Sequence, residues 1–104
     1  MKLYDDGAFT ALSWVKPALD ATLAQASEAL ERHVEDPGQA EPLRECAHCL
    51  HQVQGTLRMV ELYGAAMVTE EMESLAGALL DGQIADRDEA YSVLMRGIMQ
   101  LPDY

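Results

Sequence analysis

The sequence predicts an all-α domain, an antiparallel up-down four-helix bundle. Four stretches carry apolar residues at steps of three and four, the period of a helix with one buried face. Short breaks of Pro, Gly and Asp separate them, and short connections make neighbouring helices antiparallel. Ala, Leu and Met dominate the apolar residues, and no long alternating run of β-branched residues competes for strand.

Residues 1 to about 12 have no clear period; Phe9, Leu12 and Trp14 are expected to pack as a lid or a short first turn. The first long helix is predicted from Ser13 to Val34. Ser13 serves as N-cap, and Pro17 falls within the first turn, where a missing N–H costs little. Trp14, Ala18, Ala21, Ala29 and Val34, with Leu19, Leu23, Ala26 and Leu30, form its broad apolar stripe. Glu35-Asp-Pro-Gly-Gln stops it, and His33 reads as a favourable base at a helix C-terminus with no functional role.

The second helix is predicted from Glu41 to Leu62, with Pro42 in the first turn. At about 100° per residue, Leu43, Cys46, Cys49, Leu50, Val53, Leu57 and Val60 fall in one arc about 120° wide, a core face. Arg44, His48, His51, Gly55 and Arg58 lie on the other side. His51 therefore points to water, with an arginine seven residues to either side. A mid-helix glycine costs about 1 kcal/mol relative to alanine. On an exposed face, packing inside the domain does not offset that cost, whereas close approach by another molecule does.

The third helix is predicted from Gly64 to Leu80, with Ala65, Val68, Met72, Leu75 and Leu79 as its seam and Gly82 as C-terminal cap. The fourth runs from Arg87 to about Gln100 behind Asp86 as N-cap. Its inner face is Ala90, Val93, Leu94, Ile98 and Leu101, widened by Met95 and Met99. Met59, Met67, Met72, Met95 and Met99 read as core filling rather than as a binding groove.

At 104 residues the chain, residues 1–104, is one domain by size. A net charge of −11 argues against nucleic acid and against an anionic membrane surface as partners. No apolar run approaches the length of a membrane span, and the start lacks the apolar segment of a signal peptide. Two cysteines without a secretion signal suggest a reducing cytoplasm and free thiols.

Cys46-Ala-His48-Cys49-Leu-His51 contains zinc-ligand types. On one helix the cysteines face the core and the histidines face about 140° or more away, so no single ion can meet all four. No metal and no cofactor is expected. Nucleophile-elbow, P-loop and dinucleotide motifs are missing, so any nucleotide must be held elsewhere.

His51-x-x-Gln54-Gly55 on the second helix of such a bundle resembles the histidine phosphotransfer (HPt) domain, whose exposed His is followed four residues later by Gly. In the modules of chemotaxis-type kinases a Glu 22 residues after the His hydrogen-bonds the imidazole; here that position is Glu73. The run from His51 to Gly64 looks like the N-terminal domain of chemosensory kinases that control type IV pili and twitching motility. The likeness covers about residues 13 to 100. The family's common Lys before the Gly is Gln54 here, and Leu57 and Arg58 stand where small residues are frequent.

The resemblance implies a phosphoacceptor at His51, oriented by Glu73, with Gln54, Gly55, Arg44, Arg58 and His48 around it as the partner-facing surface. An imidazole is nucleophilic near neutral pH. Its Nε2 would attack the γ-phosphoryl of ATP held by a histidine kinase catalytic domain, then pass the group to an Asp of a response-regulator receiver domain. The chain would belong to a longer multidomain kinase and, as an isolated domain, be a monomer. The competing reading is a non-catalytic bundle that binds a protein partner in a pilus or motility complex.

Overall fold

The computed structural model describes the backbone of residues 6–101 and the side chains of residues 13–101. It contains α1 (Asp6–Glu35), α2 (Glu41–Met59), α3 (Tyr63–Leu80) and α4 (Arg87–Gln100), with no strand among the described residues. The bundle measures 49 × 21 × 18 Å. Its long axis follows α1, whose 30 residues span about 45 Å at 1.5 Å per residue.

Helix α1 starts seven residues before the expected N-cap at Ser13. Pro17 is therefore inside the helix, and the carbonyl of Ser13 loses its usual donor. The expected lid residues Phe9 and Leu12 lie outside the described side chains, and Trp14 is 81 % exposed. Only part of the broad apolar stripe reaches the core. Leu19, Leu23, Ala26, Ala29 and Leu30 are buried, while Ala18, Ala21 and Val34 are exposed. Val15 and Leu19 pack on the core, so Trp14, Ala18 and Ala21 are exposed because they share the other side of the helix.

Helix α2 buries Leu43, Cys46, Cys49, Leu50, Val53 and Leu57, with Val60 just beyond, in agreement with its periodicity. It stops at Met59, earlier than Leu62, because the chain reverses in a tight motif. Leu62 N–H donates to Leu57 O at 2.9 Å and Glu61 N–H to Arg58 O at 3.0 Å, with Glu61 left-handed at φ 64°. This is the Schellman arrangement. The same pair of bonds closes α3: Gln83 to Ala78 and Gly82 to Leu79, there with glycine at φ 72°.

In α3 the buried face is Ala65, Ala66, Thr69, Met72, Ala76 and Leu79. Val68, expected in the seam, is exposed. Small residues won the interior because they let helix axes approach, and the Thr69 hydroxyl satisfies itself on the Ala65 carbonyl at 2.8 Å. Helix α4 is capped as expected, the Asp86 carboxylate accepting from Glu89 N–H at 3.1 Å. It buries Ala90, Tyr91, Leu94 and Ile98, while Val93 and Met99 face solvent. Met59 and Met67 are also exposed, so core filling describes Met72 and the half-buried Met95 only.

His33 is not a surface base. It is 1 % exposed and joins the end of α1 to the loop at Gln39 and to α4. Its Nδ1–H donates to the Gln39 carbonyl at 2.7 Å, which leaves Nε2 to accept from Tyr91 Oη–H (3.0 Å) and Arg87 Nη2 (3.2 Å). Arg87 also donates to Tyr91 Oη and to the Leu79 carbonyl. A buried polar cluster of this kind is tolerated only when its members are satisfied, and these are.

Candidate functional site

The site is built on the amphipathic α2 and its antiparallel neighbour α3. Burial of Leu50 and Val53 on one side of α2 fixes the orientation of the other side. The three-residue reversal, Val60 to Leu62, then fixes the register of α3 against it. That register brings Glu73 beside His51, 22 residues away in sequence.

The His51 side chain is 66 % exposed and that of Glu73 is 32 %. His51 Nδ1 stands 3.1 Å from Glu73 Oε2 and 3.3 Å from Oε1. A carboxylate can only accept, so Nδ1 carries a proton, and in the neutral ring the lone pair then sits on Nε2. The ring is held on one nitrogen and open to solvent on the other. Chemically, this is an exposed imidazole with a carboxylate behind it.

Gly55 lies one turn after His51, and a Cβ built there meets nothing within 4 Å. No contact inside the domain demands glycine. Gln54 is half-buried. His48 is exposed and its Nε2 accepts from Gln52 Nε2 at 3.3 Å. Both arginines are on the exposed face, and each already has a carboxylate. Arg44 Nη1 is 3.5 Å from Glu41, and Arg58 Nη2 donates to Glu70 Oε1 at 2.8 Å. Sequence reasoning missed Glu70, although Glu70 and Glu73 are three apart and so share one side of α3.

Cys46 and Cys49 are free thiols on the buried side. Burial, reinforced by neighbouring Cys49 and Glu45, pushes the Cys46 thiol up to about 12. Burial and Glu45 raise Cys49 as well. Both thiols are therefore held protonated near neutral pH, which makes them poor nucleophiles there. Among the described residues no group of three or more His, Cys, Asp and Glu is arranged to hold a metal, and no helix is long and apolar enough to cross a membrane.

The family model described as Hpt domain matches residues 11–103. A curated relative, the scaffold protein FimL of Pseudomonas aeruginosa, is 33 % identical over 95 residues, which cover 91 % of this chain. The matched segment spans 17 % of that relative's length. No solved structure matches the chain significantly.

Proposed function

The chain belongs to the Hpt domain family, and from that premise we propose that it is a phosphotransfer module whose phosphoacceptor is Nε2 of His51. The observation that supports this is the 3.1 Å contact of Nδ1 with Glu73, which puts the ring proton on Nδ1 and, in the neutral ring, the lone pair on Nε2.

In the proposed step the Nε2 lone pair forms the N–P bond to the γ-phosphorus of ATP, which a separate histidine kinase domain holds. The bond from that phosphorus to the bridging oxygen breaks, and ADP leaves with the electron pair. The Nδ1 proton stays on the ring, donated to Glu73, whose charge offsets the positive charge gained by the imidazole. Attack by a receiver-domain Asp carboxylate on the same phosphorus reverses the change at nitrogen. Phosphoryl transfer rests mainly on positioning and charge stabilisation, so a rigid exposed histidine leaves the rest to its partners. Gly55 admits their loops. Gln54, His48, Arg44 and Arg58 form the surrounding contact surface.

The module works within a longer multidomain kinase of a pilus or twitching-motility chemosensory system in the cytoplasm, and as an isolated domain it is a monomer. The length of the relative, of which this match spans 17 %, supports a larger parent. That relative is named a scaffold, and this favours one second reading. The bundle would bind a protein partner without accepting phosphate.

Incubation with ATP and the catalytic region of a candidate kinase separates the two. Acid-labile, base-stable phosphate that is lost in His51→Gln supports phosphotransfer. No labelling by a kinase proven active on another substrate supports the scaffold.

A further inference from the structure

We propose that Arg58 is a cation held in reserve by Glu70, and that its guanidinium leaves Glu70 for the phosphoryl group once His51 carries one. This rests on His51 being the phosphoacceptor.

A phosphoryl group brings nearly two negative charges. It would arrive on a face where Glu73 already lies 3.1 Å from the ring and Glu70 lies on the same helix three residues earlier. Two arginines of α2 share that face, Arg44 and Arg58, each seven residues or about 10.5 Å of rise from His51. They are not equivalent. Side chains on a helix lean toward its N-terminus, so Arg58 leans toward His51 and Arg44 leans away.

Their anchors repeat the difference. Arg44 is tied to Glu41, three residues farther from His51. Arg58 is tied at 2.8 Å to Glu70, which precedes Glu73 by three residues, about 4.5 Å of rise. The guanidinium is therefore parked about one turn along the α2–α3 groove from the carboxylate that holds the imidazole. Gly55 borders the route between them, and a Cβ built there would meet nothing within 4 Å beyond its own stretch of helix.

The parking contact is weak enough to exchange. Both side chains are half-exposed, 41 % for Arg58 and 55 % for Glu70, and such ion pairs are loosely held. At equal distance a dianion attracts the guanidinium more than a single carboxylate does, and a phosphoryl group offers oxygens that match its fork. Glu70, released, is solvated at little cost. The exchange gives the phosphorylated and unphosphorylated modules different faces: one with a neutralised Glu70, the other with a free Glu70 and a covered phosphoryl group.

The test is the equilibrium between the module plus ATP and its phosphorylated form plus ADP, measured with a catalytic amount of active kinase. Arg58→Gln should shift it against the phosphorylated module by about 2–5-fold, the size expected for one exposed charge contact. Glu70→Gln should shift it the opposite way, by about 2–3-fold, because Arg58 no longer has to leave a carboxylate. A merely structural ion pair predicts that both variants move together, since both break it. Side-chain nitrogen NMR of Arg58 should change on phosphorylation of the native chain. Equal shifts in the two variants, or no shift in either, with His51 phosphorylated, overturn this proposal alone. A native chain that takes no phosphate on His51 from an active kinase overturns the phosphoacceptor reading beneath it, and this proposal with it.

Discussion

Replacing Glu61 by glycine should stabilise the domain. Glu61 is the left-handed residue that ends α2, at φ 64°. An L-residue with a Cβ costs roughly 1–2 kcal/mol in that region. Glycine avoids the clash but loses about 0.5–1 kcal/mol more backbone freedom on folding. The midpoints of the two differ by about 0.75 kcal/mol in favour of glycine, or about 3–6 °C in Tm for a domain of this size. The Glu61 side chain is exposed, so little packing is lost with it. The end of α3 supplies the reverse experiment, because the same hydrogen bonds there surround Gly82 at φ 72°. Gly82→Ala should destabilise by about 1 kcal/mol. Thermal and urea unfolding followed by circular dichroism measure both. A Glu61→Gly variant no more stable than the native chain would refute the strain assigned to this turn.

Gly55→Ala should raise the unfolding free energy by about 1 kcal/mol, since the new Cβ meets nothing within 4 Å beyond its own stretch of helix and alanine favours helix. Gly55→Glu should keep the helix content but slow phosphoryl exchange with partners; an unchanged exchange rate would contradict the access argument. Tyr91→Phe should cost about 1 kcal/mol, because it removes the hydroxyl that donates to His33 and accepts from Arg87; urea unfolding is the check. The Cys46 thiol is raised from 9.0 to about 12 in the folded state, so above pH 9 the unfolded chain binds fewer protons than the folded one. Stability from this group is complete below pH 9 and is lost as pH rises toward about 12, at up to about 1.4 kcal/mol per pH unit. Cys46→Ala should flatten that fall, and an equally steep fall in the variant would contradict it.

Helix α2 was legible because it is strongly two-sided: seven apolar residues on one arc and charged or polar residues opposite leave one way to bury it. Helix α3 was less so. Alanine and glycine occur all around it, and hydrophobicity favours the bulkier Val68 for the core, where Ala66 and Ala76 lie instead. Hydrophobicity alone does not say that an interface wants small side chains. The beginning of α1 was hidden because periodicity signals burial, and Trp14, Ala18 and Ala21 are helical without being buried. His33 escaped notice for a different reason. Its partners Arg87 and Tyr91 are 54 and 58 residues away, a distance that no local pattern encodes. The pairing of His51 with Glu73 came from resemblance to a family; the helical period supplied the exposure of His51, and the α2–α3 register supplies the contact.

The most direct test of the account reads the two ring nitrogens of His51 by ¹⁵N NMR, before and after phosphorylation by an active kinase. Before, Nδ1 should be protonated and Nε2 bare. Afterwards, phosphorus should couple to Nε2 of His51, with Nδ1 still protonated toward Glu73. A proton on Nε2 in the unmodified domain, or phosphorus on Nδ1 or on His48, would contradict the account.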